Sequence, residues 1–174
     1  MIFRPKRYSI VNEALMALTR NTSQALLLNQ FLYWTRRCYE FDEMLMAENY
    51  CRKMSKRLPV NITPRDGWFT ITLARLAEEA MLVLSKESLQ GFIKILVQRG
   101  WVEQKLFERE SPDQKYYYRV NLYQLEMDLG KLGHEIPGFV RASKNDFGGP
   151  LSDSTKDNAF YHKSDYQCSF SKTQ

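Results

Sequence analysis

Between Gly67 and Asn121 the apolar residues of this chain change period from helical to alternating, and that change limits the folds open to it. Residues 68–71 (Trp-Phe-Thr-Ile) form a short β-type run, and Thr72 is placed to cap a helix that carries Leu73, Leu76 and Ala77 as far as Ala80. Met81-Leu82-Val83-Leu84 is a short apolar turn. Ser85 then caps a second helix, whose Leu89, Phe92, Ile93 and Leu96 make one stripe ending at Gly100. Residues 101–107 largely alternate apolar and polar, residues 108–114 contain the turn Ser111-Pro112-Asp113, and residues 115–121 have strong β-propensity. The last two runs pair as an antiparallel hairpin.

A helix-turn-helix followed at once by a hairpin, with residues 68–71 as a third strand, is the order of a winged helix-turn-helix. The expected fold is therefore mainly α with a small β-hairpin wing (α+β), the winged helix-turn-helix occupying residues 67–132. A closing helix over 122–132 carries Leu125, Leu129 and Leu132. Residues 1–66 are expected to be a basic arm and extra N-terminal helices packing on that core. One short helix runs over 10–19 through Val11, Ala14, Leu15 and Leu18. A second, capped by Thr22 or Ser23, carries Ala25, Leu26, Leu28, Leu32 and Tyr33 to about Cys38. Leu27, Phe31 and Trp34 make it apolar on more than one face, so it is buried or meets a partner. A third helix is expected over 40–58, before Pro59. From Gly133 to Gln174 the apolar period is lost among Pro137, Gly138, Gly148-Gly149-Pro150 and mixed polar residues, which reads as a disordered polar tail.

The formal net charge is +5, and its distribution matters more than its size. Residues 1–60 hold 10 Lys/Arg against 5 Asp/Glu, residues 61–134 hold 10 of each, and residues 135–174 hold 5 of each. The excess lies wholly in the first third. No run approaches the roughly 18 apolar residues of a membrane helix, and the N-terminus lacks a signal-peptide core, so a cytoplasmic protein without a membrane partner is expected. Cys38, Cys51 and Cys168 are odd in number and far apart, which points to reduced thiols rather than a disulfide framework or a zinc site.

In a winged helix the second helix of the motif enters the major groove, with its N-terminal residues nearest the bases. That selects Ser85, Lys86, Glu87, Ser88, Gln90, Gly91 and Lys94 as DNA-binding candidates. With Leu89, Phe92, Ile93 and Leu96 facing the core, Lys86, Glu87, Gln90, Gly91 and Lys94 point outward. The lysines suit phosphate or guanine acceptors, Gln90 suits adenine, Glu87 can accept from cytosine, and Gly91 permits close approach of a sugar-phosphate strand. The wing adds Lys105, Arg109 and Lys115, offset by Glu103, Glu108, Glu110 and Asp113. On the helix over 40–58, Arg52, Lys53, Lys56 and Arg57 recur at positions that share one side, which reads either as a solvated face or as a surface for phosphate or an acidic partner. Tyr116, Tyr117 and Tyr118 could stack on bases, but alternation along a strand favours packing; Trp34, Trp68 and Trp101 also read as core. His134 and His162 lie at or beyond the end of the folded region, and no phosphate loop, nucleophile elbow or two-metal carboxylate cluster occurs, so neither an enzyme nor a cofactor is expected.

Leu28, Gln30, Tyr33 and Trp34, then Gly67-Trp68, the stretch from Leu84 to Leu89 with Leu96 and Gly100-Trp101-Val102, and finally residues 116–121 together resemble the N-terminal winged-helix module of phage and plasmid replication initiators, including replisome organisers. The likeness runs from about residue 10 to residue 132. It implies binding of double-stranded origin DNA, contact with replication proteins such as a helicase, and residues 85–94 as the DNA-facing segment. A homodimer is a further expected partner state, because the outer face of the second helix offers only two cations. A transcriptional regulator built on the same domain, a winged-helix protein-interaction module, and a ligand- or redox-sensing repressor using Cys38 or Cys51 are the alternatives.

Overall fold

Two left-handed residues that are not glycine set the N-terminal architecture: Arg20 at φ 53° and Lys56 at φ 54°. The structure is a computed structural model that describes residues 9–106, 116–141 and 160–161. Helix α1 (Glu13–Thr19) starts where the Asn12 side chain accepts from the Ala14 N–H at 2.9 Å, and it stops at Arg20. Asn21, rather than Thr22 or Ser23, caps helix α2 (Thr22–Met54) by accepting from the Gln24 N–H at 3.0 Å. The helices expected over 22–38 and 40–58 are one helix of 33 residues, about 50 Å long at 1.5 Å per residue.

Nothing between Thr22 and Met54 is Gly or Pro, so no helix breaker interrupts the helix. It ends on paired hydrogen bonds: the Lys56 N–H donates to the Lys53 carbonyl at 3.1 Å, and the Arg57 N–H donates to the Arg52 carbonyl at 2.8 Å. That is a Schellman ending with lysine where glycine is usual. Lys56 and Arg57 therefore lie outside the helix. The expected face of four cations is corrected to Arg52 and Lys53 in its last turn, and Arg52 is held by Glu48 at 2.6 Å.

The N-terminal half of α2 is the spine of the core. Phe31 lies against Phe69 and Tyr118, with ring centroids 5.9 and 5.2 Å away. Those rings come from strands β1 (Phe69–Thr70) and β3 (Tyr116–Val120), which pair antiparallel with Phe69 opposite Tyr118. Strand β2 (Val102–Leu106) pairs with the other edge of β3, Val102 opposite Val120, so the sheet order is β1-β3-β2. Between β1 and β2 come helices α3 (Leu73–Glu79) and α4 (Lys86–Gln98), capped by Thr72 and Ser85 as expected. Gly100, at φ 76°, ends α4 with a second Schellman pair, Gly100 N–H to Val97 O and Trp101 N–H to Leu96 O. Helix α5 (Leu122–Gly130) follows β3, with Asn121 as its cap. The result is a mainly helical protein with a small three-stranded antiparallel sheet.

Four polar side chains pin these elements together. Thr35 of α2, fully buried, accepts from the Val120 N–H at 3.1 Å. Glu79 of α3 takes the Gln30 amide and the Trp34 indole N–H on one oxygen, each at 2.7 Å, and the Arg75 guanidinium on the other at 2.6 Å. Buried Asp42 accepts the Arg65 and Asp66 N–H groups at 2.7 Å, one on each oxygen, and so fixes the turn that leads through Asp66 and Gly67 into β1. Gly67, at φ 75°, lies so close to the Tyr39 ring that a Cβ would fall 2.9 Å from it. Asp128 of α5 accepts from the Trp101 indole at 2.9 Å, from Gln124 and from Lys131, and the lysine and glutamine bonds first, then the indole, hold its carboxyl down at about 2.

The chain does not leave the core at Gly133. Ile136 and Phe139 are buried within the central cluster, and strand β4 (Val140–Arg141) pairs with β5 (Phe160–Tyr161). The disordered tail expected from Gly133 is corrected for residues 133–141 and 160–161. The other residues of that tail lie outside the described ones.

Candidate nucleic-acid interface

Helix α4 is positioned by what it buries. Leu89, Ile93 and Leu96 are in the core, and Phe92 packs half-buried against it. These residues fall at helical spacing, so the opposite side must face water, and Lys86, Glu87, Ser88, Gln90, Gly91 and Lys94 are all exposed. Ser85 is occupied at the helix start: its hydroxyl accepts from the Ser88 N–H at 3.2 Å and lies 3.1 Å from the Ser88 hydroxyl. The Glu87 carboxyl is held below its ordinary range by its own backbone N–H, then by the Ser85 hydroxyl and the nearby Lys86 charge. This carboxylate thus turns toward the positive end of the helix. Lys86, Gln90, Gly91 and Lys94 share the outward surface with this carboxylate and with Ser88.

Gly91 has no backbone reason to be glycine. Its φ is not left-handed, and a Cβ there would meet nothing within 4 Å.

Lys105 lies on the sheet, where its ammonium sits 3.9 Å from the centroid of the Trp68 ring. Arg119 lies 4.7 Å from the same ring and is fixed by Asp66 at 2.6 Å and Glu103 at 2.8 Å. Trp68 is therefore half-buried beneath two cations rather than in the core expected for it, whereas Trp101 is buried. Arg109 and Lys115 lie outside the described residues. Tyr118 is buried, its hydroxyl pushed up to about 12 mainly by that burial, and Tyr116 packs against the core, as strand alternation requires.

The cations near the end of α2 do not join this surface into one patch of a single helix, for the reason given above. Arg52 is committed to Glu48, while Lys53, Lys56 and Arg57 are exposed. Cys38 is buried, with its thiol donating toward the Trp68 carbonyl at 3.3 Å, and burial is the main cause that raises its pKa. Cys51 is exposed.

Sequence reasoning missed the Glu79 and Asp42 anchors. The signal for the first was present: Gln30 and Trp34 are four residues apart on α2, and that spacing lets both reach one carboxylate. The pattern Leu28, Gln30, Tyr33, Trp34 thus has a structural task, holding α3 against α2. Among the described residues no group of three His, Cys, Asp or Glu side chains is arranged to hold a metal, and no helix is long and apolar enough to cross a membrane. No family model, no curated protein and no solved structure matches this chain.

Proposed function

We propose that residues 67–132 form a winged helix-turn-helix and that the protein binds duplex DNA through it, as a non-enzymatic factor of the replication-initiation type. The observation that carries this reading is α4 itself, a serine-capped helix with one face buried and an exposed face that carries Lys86, Glu87, Ser88, Gln90, Gly91 and Lys94. Those residue types suit a helix lying in the major groove, where lysine meets phosphate or guanine and glutamine meets adenine. The order strand, helix, helix, two-stranded ribbon supports it, because the ribbon then reaches the sugar-phosphate backbone beside the groove. Lys105, Arg109 and Lys115 are the wing cations in this reading, and Lys105 keeps its place on Trp68 while its charge faces solvent. No chemistry is assigned to the protein; recognition and recruitment of replication proteins are its task. The likeness of residues 10–132 to replication initiators supports replication over transcription.

The test is duplex binding as a function of salt by the wild type, Lys86→Ala and Lys94→Ala. Each lost phosphate contact reduces the slope of log K against log salt by about one. Slopes and affinities equal to the wild type's in both variants would exclude α4 as the DNA-facing helix.

A further inference from the structure

The turn between α3 and α4 sets its apolar residues at different depths. Leu82 and Leu84 pack half-buried against the core, while Val83 between them is 101% exposed. Burial alternates through residues 81–85, the pattern of successive side chains pointing to opposite sides. Two hydrogen bonds close α3 ahead of Val83: the Met81 N–H donates to the Glu78 carbonyl at 3.1 Å, and the Leu82 N–H donates to the Ala77 carbonyl at 2.9 Å. That is a Schellman ending in which Met81, at φ 55°, takes the left-handed position usual for glycine. On the other side the Ser85 hydroxyl caps α4 by accepting from the Ser88 N–H. Val83 is therefore held out between two fixed helix ends.

Folding explains neither feature. Val83 buries nothing, and Met81 is itself 45% exposed, so a polar residue at 83 and glycine at 81 would serve the core equally well. A left-handed residue other than glycine in a turn that presents a ligand group is a recurrent arrangement. Position decides what Val83 meets. It precedes the Ser85 cap by two residues and Lys86 by three, at the end of α4 that lies nearest the bases when such a helix enters the major groove. Lys86, Glu87 and Ser88 carry groups that pair with phosphates or with the donors and acceptors of base edges. Val83 has none. The apolar group that base pairs present in the major groove is the C5 methyl of thymine.

We infer that Val83 is a specificity-determining residue that packs on a thymine C5 methyl, so that the duplex this protein prefers carries thymine beside the N-terminal end of α4. The inference rests on the reading of α4 as the helix in the major groove, and it adds the identity of one base. Such a contact removes about one methyl group from water, which is worth about fourfold in affinity.

The experiment begins with a random-sequence duplex library, from which the full wild-type chain selects its preferred sequence. Each thymine of that sequence is then replaced in turn by deoxyuridine, which pairs identically but lacks the methyl. Affinities are measured by fluorescence anisotropy for the wild type and for Val83→Ser, a change at a residue exposed enough to leave the fold alone. One replacement is expected to weaken the wild type about fourfold and to leave Val83→Ser unaffected. On the thymine duplex Val83→Ser binds more weakly by about the same factor with an unaltered salt slope, because no phosphate contact is lost. A wild type that binds no duplex overturns the DNA reading and this contact with it. A wild type that binds duplex overturns the contact alone if it enriches no sequence, if it responds to no deoxyuridine replacement, or if Val83→Ser shows the same response.

Discussion

A glycine inside a helix costs about 0.5–1 kcal/mol relative to alanine, because the chain loses more freedom on folding and gains no side-chain contact. Gly91 bears that cost in the middle of α4 with open space where its Cβ would lie. Gly91→Ala is therefore expected to raise stability by roughly that amount, measured by chemical denaturation, and at the same time to weaken duplex DNA binding, because the added methyl stands where a sugar-phosphate strand approaches. A variant that gained stability and kept full affinity would show that α4 does not meet DNA at Gly91. The outward set Lys86, Gln90, Gly91 and Lys94 was legible in the sequence, since the stripe Leu89, Phe92, Ile93, Leu96 fixes which side is buried. Glu87 was less so. Its place beside the Ser85 hydroxyl at the helix start depends on local hydrogen bonding that periodicity does not register.

At the scale of elements, helices that end on recognisable caps were legible and those that end otherwise were not. Thr72, Ser85 and Gly100 mark α3 and α4 in the sequence and mark them in the structure. The end of α2 was missed because lysine occupies the left-handed position that glycine usually takes. The middle of α2 was misread because its buried face changes partner, from the core up to Cys38 to the segment over 56–66, and the second face carries Asp42 and Asn49 in place of apolar residues. The seating of α3 rests on Glu79. Removing its carboxylate leaves the Trp34 indole N–H and the Gln30 amide without their acceptor, so Glu79→Ala is expected to cost about 1–3 kcal/mol in denaturant unfolding. Trp34→Phe in that background should cost less than in the wild type, because it removes a donor already stranded. Equal costs in the two backgrounds would mean that Glu79 and Trp34 are not coupled.

For the whole molecule, the spine is one helix, which meets the sheet through Phe31, Trp34, Thr35 and Cys38 and continues to Met54. The core draws on all of helices α1 to α5, all three strands of the β1-β3-β2 sheet and the residues at Ile136 and Phe139. Those last two were invisible in the sequence, where Ile136 and the pair Phe139-Val140, split by Pro137 and Gly138, carry no period. Charge is divided on the same scale. The excess positive charge lies in the first third, and the segment proposed to read DNA is balanced, so binding must depend on where α4 and the wing present their few cations rather than on net attraction. The most direct measurement is an NMR titration of isotope-labelled protein with a mixed-sequence duplex of about 20 base pairs, in the low salt of about 50 mM that favours phosphate contacts. The account predicts that amide shifts concentrate over residues 85–94 and around Lys105. Shifts confined to the end of α2 and absent from α4 would contradict it.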